Sequence, residues 1–262
     1  MCDDLCPVKE NKGAAEWADN RRNFERGVCV SVFVIGDLHL SLTVNKPMDL
    51  FGGVWNGYVE KIREGWNALV SQEDTVILAG DTSWGMSLDE ALADFRFIEA
   101  LPGKKLLLKG NHDYFWTTVT GMRRFLAEQG IRSLDFLHNT CAVIDGTAFC
   151  GTRGWFLENE NDADGDGGKV YRRELIRLRT SLDEGRKSGA QELVAILHYP
   201  PLYQSFRCGE ILDILSAYSV RRCYYGHLHG RSLKYAREGE INGVQYACIS
   251  ADHLNFRPVR VG

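Results

Sequence analysis

Residues 106–116 read LLLKGNHDYFW. Three leucines describe a strand buried on both faces, and the chain then breaks off in an amide, an imidazole and a carboxylate before three aromatics in a row. Gly and Asn tolerate left-handed backbone, and Asp caps a following helix, so an ordinary turn accounts for the segment taken alone. The reading turns on how the other apolar runs end.

Four further runs end in the same way: VCVSVFVIGDLH, TVILAGD, ELVAILHYPP and the shorter RRCYYGHLHG. Between them, apolar spacing predicts helices over 59–70, 87–101, 118–129 and 171–186. In the second of these Leu88, Leu92, Phe95 and Ile98 recur at helical spacing, and Pro102-Gly103 ends it. Strand alternating with helix predicts a parallel α/β sheet. Asp145-Gly146 and Asn242-Gly243 each sit between alternating residues and predict tight hairpins, hence a second, partly antiparallel sheet packed on the first with helices outside.

Set side by side, the strand ends carry Asp37 and His39, then Asp81, then Asn111, His112 and Asp113, then His198, then His227 and His229. Ligands of a parallel sheet bind beyond the carboxyl ends of its strands, so these residues share one crevice. Five of the seven histidines fall there, while His138 and His253 lack such a context and read as structural or exposed. Carboxylate and imidazole donors without a thiolate suit Mn, Fe, Zn or Ni and argue against a closed structural zinc site. Asp81, with two oxygens, can bridge two ions about 4 Å apart. Two divalent ions exceed the charge of Asp37 and Asp81, and that positive surplus favours an anionic substrate attacked by metal-bound hydroxide. Phosphoester hydrolysis fits best.

The ordered set Asp37-x-His39, Gly80-Asp81, Gly110-Asn111-His112-Asp113, His198 and Gly226-His227-x-His229 resembles the calcineurin-like metallophosphoesterase superfamily over residues 32–232. The resemblance implies a four-layer α/β/β/α sandwich of two mixed β-sheets flanked by helices. It implies Asp37, His39 and His229 on one metal, Asn111, His198 and His227 on the other, Asp81 as the bridge, and His112 as the catalytic histidine at the leaving oxygen. Two divalent ions are expected, Mn and Fe first, with Zn, Ni and Mg as alternatives. Protein serine/threonine phosphatases carry an Arg-bearing motif after the bridging Asp and an Asn-His-Glu block. This chain has Asp81-Thr82-Ser83-Trp84-Gly85 and Asn111-His112-Asp113 instead, and is similar to a bacterial branch of uncharacterised phosphohydrolases.

Composition sets the outer bounds. The 262 residues, 44% hydrophobic and 25% charged with no Pro/Gly/Ser-rich linker, are read as a polar extension over 1–27 and a single domain over 28–262. A net charge of −4 gives no broad basic field for duplex nucleic acid. No apolar stretch suits a membrane span or signal peptide, and the eight scattered cysteines suit reduced thiols, so a cytoplasmic protein is expected. The segment 158–168, ENENDADGDGG, opens like a calcium loop at Asp162, Asp164 and Asp166 but has Arg173 at the twelfth position, so a solvated loop explains it. Substrate contacts are expected from Arg153, in a Gly-flanked turn, and from Trp84 and Tyr114, beside the motifs. The expected activity is hydrolysis of a small phosphomonoester or phosphodiester, nucleotide-like substrates included. The competing readings are a metal-dependent nuclease, which needs a basic groove, and a non-catalytic scaffold on the same fold, in which the ligands would be eroded.

Overall fold

The computed structural model describes residues 30–155 and 165–262. The expected 1–27 extension, Cys2, Cys6 and Cys29, and most of the acidic segment lie outside the described residues.

Strands β1 (Val32–Ile35), β2 (Thr75–Leu78) and β3 (Lys104–Leu107) run parallel, with Val32 opposite Thr75 and Thr75 opposite Lys104. β4 (Leu134–Phe136) continues the sheet beyond β3. At the other edge β13 (Val259–Arg260) joins β1 antiparallel, giving the order β13-β1-β2-β3-β4. The second sheet has the order β11-β12-β10-β7-β6-β5, from β5 (Cys141–Ile144), β6 (Thr147–Thr152), β7 (Glu192–Leu197), β10 (Arg222–Tyr225), β11 (Gly239–Ile241) and β12 (Val244–Cys248). A short hairpin, β8 (Leu202–Tyr203) with β9 (Phe206–Arg207), stands apart.

Period-two alternation explains the layers. In β1, Val32 and Val34 enter the interior between the sheets with Ile77, Leu106, Leu108, Phe149, Val194 and Ile196, while Phe33 and Ile35 face helices. The outer face of the first sheet is covered by α1 (Tyr58–Asn67), α2 (Leu88–Glu99) and α3 (Val119–Glu128) through Ile62, Trp66, Phe95, Ile98, Met122 and Leu126. That of the second is covered by α4 (Asp166–Lys187) and α5 (Gly209–Ala217) through Leu178, Leu182, Ile211 and Ile214. Both faces of each central strand are dry, which is why these runs are continuously apolar. The result is the two-sheet, helix-flanked sandwich that the motifs imply.

The five motif-bearing runs are divided between the sheets. Those ending at Asp37, Asp81 and Asn111 lie in the first sheet, and those ending at His198 and His227 in the second, so the expected crevice is a seam rather than the edge of one parallel sheet. Both hairpins form where expected: Asp145 and Gly146 have φ of 46° and 75°, and Asn242 and Gly243 have 53° and 77°. Helix α2 begins after Ser87, whose side chain accepts from the Glu90 amide. Helix α4 starts five residues earlier than its apolar spacing predicts, because Gly167 and Gly168 carry no periodic signal, and it contains Asp166 and Arg173.

Candidate metal centre

The ends of β1, β2 and β10 reach the seam and then turn through left-handed backbone. Asp37, His39, Asp81 and His227 have φ of 60°, 46°, 51° and 73°, conformations that cost non-glycine residues energy and that collect at functional sites. This alternation is what directs Asp37 and His39, two apart, to one side. Close approach also demands glycine: a Cβ on Gly110 would lie 2.0 Å from Asp81 Oδ1, and one on Gly226 would lie 2.4 Å from Asp37 Oδ2.

Two clusters result, one of Asp37, His39 and His229 and one of Asp81, His198 and His227, and the donor atoms within each lie within 4.8 Å of one another. In the first, His229 Nε2 is 3.3 Å from Asp37 Oδ1 and 3.1 Å from His39 Nε2. In the second, His198 Nε2 is 2.7 Å from Asn111 Oδ1. Asp81 Oδ2 lies between them, 3.7 Å from His39 Nε2 and 3.5 Å from His198 Nε2. The other Asp81 oxygen accepts the His112 amide at 2.8 Å, which fixes the carboxylate.

The donor chemistry fits cations. His198 gives Nδ1–H to the Ala79 carbonyl at 3.0 Å, and His229 gives Nδ1–H to Asp252 Oδ1 at 3.2 Å. In the neutral rings both Nε2 lone pairs then face other lone pairs, and Asp37 Oδ1 is buried without a hydrogen bond among the described residues. Such convergence is repulsive unless positive charge sits within it. With protein groups alone a proton serves: burial opposes the His229 imidazolium, but Asp37 and Asp252 raise it to about 10. Burial, and then the Asp37 charge, pushes Asp81 up to about 8. Burial also opposes ionisation of Asp37, yet the imidazoles of His229, His198 and His39 hold it well below the usual carboxylate range. Burial lowers His39, His198 and His227, keeping these imidazoles neutral as ligands must be.

His112 is half-buried at the rim, its ring 4.5 Å from that of Trp84 and 5.8 Å from that of His39. Burial first, then His198 and Lys46, depress it to about 4. Asp113 neither caps a helix nor orients a histidine. Its buried carboxylate accepts the amides of Asp81, Thr82 and Gly110 at 2.9, 2.8 and 2.7 Å, tying the second and third strand ends together. Burial, then Asp81, pushes its pKa to about 7.

A cleft of about 530 Å³ opens over the first cluster, lined by His39, Asp81, His112, His227 and His229 together with Met48, Phe51, Trp55, Trp84, Gly230 and Arg231. Of the expected substrate contacts, Trp84 lines this cleft, but its ring is stacked on His39 at 4.8 Å and has Lys46 Nζ 4.4 Å from its centroid. Tyr114 is 51% exposed beside His112. Arg153 is turned instead to the buried Glu174, with its guanidinium 3.5 Å from that carboxylate. His138 packs against Trp116, and His253 reaches Glu238 at 3.4 Å. Sequence reasoning missed Asp252 and the cleft wall 48–55. Asp252 follows the end of β12 as the other carboxylates follow theirs, so the same strand-end signal could have found it.

Two Asp/His clusters that could each hold a metal ion meet at the seam of a two-sheet sandwich, an arrangement that suits a metal-dependent phosphoesterase. The calcineurin-like phosphoesterase family model matches residues 30–231, and the chain belongs to that family. Among solved structures it is similar to the protein of unknown function AQ665 from Aquifex aeolicus, with 16% identity, a TM-score of 0.49, and coverage of 88% of this chain and 96% of that one. It is also similar to TT1561 of Thermus thermophilus, with 9% identity, a TM-score of 0.49, and coverage of 89% and 99%. No curated protein matches the chain at a significant level. Among the described residues no helix is long and apolar enough to cross a membrane.

Proposed function

We propose that the chain hydrolyses a small phosphomonoester or phosphodiester over two divalent cations, Mn and Fe being the expected pair. Asp37, His39 and His229 would hold one ion, Asn111, His198 and His227 the other, and Asp81 would be shared between them. The observation that carries this reading is the position of Asp81 Oδ2, within 3.7 Å of a histidine nitrogen in each cluster. When bound, such ions supply Lewis acidity and lower the pKa of water. The chain's own part is to hold the site rigid and to move a proton. Asp252 and the Ala79 carbonyl fix the tautomers of His229 and His198. His112, neutral by itself at pH 7, gains its proton when an anionic phosphate enters the cleft, and gives it to the leaving oxygen.

Phe51, 67% exposed at the cleft lip, offers an open ring to an aryl or apolar ester group, whereas the Trp84 ring is already engaged. All seven ligand positions keep a coordinating side chain, which favours catalysis over a scaffold role. A net charge of −4 disfavours a nuclease. The free thiols of Cys141, Cys150, Cys208, Cys223 and Cys248 support a reducing compartment such as the cytoplasm. The test is turnover of p-nitrophenyl phosphate and its bis ester with Mn, Fe, Zn, Ni or Mg. His112→Ala should lower kcat by about 10²–10⁴-fold while metal content is retained. Absence of turnover with every one of these metals would refute the reading.

A further inference from the structure

On the Asn111/His198 side of the centre, the strand ends carry a group of cations that the reaction does not use. Lys109 lies two residues before Asn111. The Arg153 carbonyl accepts the amides of His198 at 3.1 Å and Tyr199 at 2.8 Å, which fixes Arg153 beside that ligand. Its guanidinium lies 4.8 Å from the Trp155 ring, Trp155 is 5.0 Å from Tyr199, and Tyr199 is 4.3 Å from His227, so one layer of rings joins the group to the metal site. Arg177 of α4 completes it.

Among the described residues only one carboxylate pairs with these charges. Glu174 Oε1 is shared by Arg177 at 2.7 Å and Arg153 at 3.5 Å, while its other oxygen is taken by the Thr152 hydroxyl. Within the same residues Lys109 has no ion pair. Arg153 Nε is buried there without a hydrogen-bond partner, a costly state for a guanidinium donor. Counting the buried Asp113, whose charge also acts on Lys109, three cations against two carboxylates leave a surplus of one positive charge among the described residues, in a half-buried setting where charge is poorly screened. A surface kept only for folding would pair these groups, whereas among the described residues this one keeps an ammonium and a guanidinium donor in reserve.

Building on the phosphoesterase reading, we infer that Lys109, Arg153 and Arg177 form a second anion subsite, which takes a second phosphoryl group of the substrate while the first lies over the metals. The substrate class is then a bisphosphorylated small molecule, with the scissile phosphate held between the apolar cleft and the basic pocket.

A molecular ruler tests this on the metal-loaded full chain. Ethylene, trimethylene and tetramethylene bisphosphates are each compared with the ω-hydroxy monophosphate and the ω-carboxylate monophosphate of the same length. At one length the bisphosphate should exceed its hydroxy analogue in kcat/KM by about tenfold or more, the range of one or two charge-assisted hydrogen bonds. That ratio should fall towards one in Lys109→Met and in Arg177→Met. Lys109→Met breaks no ion pair among the described residues, so it leaves the fold untouched. No gain at any length, a gain that survives Lys109→Met, or a larger gain with the carboxylate would overturn the assignment. Were none of these esters hydrolysed, the phosphoesterase reading would fail separately. Calorimetric titration with tetramethylene bisphosphate would still decide the subsite: binding about tenfold weaker in Lys109→Met supports it, and equal binding overturns it.

Discussion

Replacing Gly110 by Ala should disable the centre without touching a ligand. The Gly110 backbone is not left-handed, so alanine is conformationally tolerated and only contact is tested. Its Cβ would lie 2.0 Å from Asp81 Oδ1 and 2.2 Å from the Asp81 amide nitrogen, where ordinary contact needs at least 3.4 Å. A displacement of about 1.4 Å is therefore forced, the difference between 3.4 and 2.0 Å, against a tolerance of about 0.2 Å for metal–ligand bonds. Relief by backbone movement is opposed, because the Asp113 carboxylate holds the amides of both Gly110 and Asp81. We expect kcat/KM to fall by at least about 100-fold, as a misplacement near 1 Å produces. Metal occupancy should fall below two ions, and stability by about 1–3 kcal/mol, the usual cost of overpacking. Metal analysis, ester hydrolysis and urea unfolding read these, with Gly209→Ala as the control, since a Cβ there meets nothing within 4 Å. A Gly110→Ala protein holding two ions with activity within about threefold of wild type would refute the account of how Asp81 is placed.

Asp252→Asn should weaken metal binding by about 10–100-fold, seen by calorimetry, because the His229 ring loses the carboxylate that orients it. Lys105 is buried against the Leu101 carbonyl and Ser133, and burial, against the opposing Glu99 charge, lowers its pKa from 10.5 to about 8. Between those values the folded chain has released a proton that the unfolded chain still holds, so stability should rise with pH there, by at most about 3 kcal/mol. Lys105→Met should remove that rise in urea unfolding followed from pH 7 to 11, and an unchanged slope would contradict the assignment.

The residues that meet at the seam were legible because each polar cluster interrupts an apolar run, a local contrast that needs no tertiary knowledge. The partition of the runs between two sheets was not. Strands buried on both faces look alike wherever they lie, so ELVAIL carries no mark that it pairs with β6 and β10 rather than with β3. Arg153 was visible as a cation near the site, but its direction is set by Glu174, on a helix remote in sequence. Asp113 and Asp252 were visible as carboxylates, yet they act across 32 and 23 residues, on the Asp81 amide and on His229. The cleft wall at 48–55 is built from 3₁₀ turns around Gly52 and Gly53, which have no periodic signature.

The division of the ligands across the seam has a mechanical consequence. Each ion would be gripped from both sheets: one by Asp37 and His39 from the first and His229 from the second, the other by Asn111 from the first and His198 and His227 from the second. Together with the bonds of Gly36 to Ile249 and Ala251, of His198 to the Ala79 carbonyl and of the His227 amide to Asp37, the apolar filling between the sheets sets how far apart those grips stand. The thickness of that filling thus becomes a gauge for the inter-ion spacing. Trimming Ile196 by a methyl group, to valine, would be read as altered magnetic coupling within a Mn pair, although its side chain coordinates nothing.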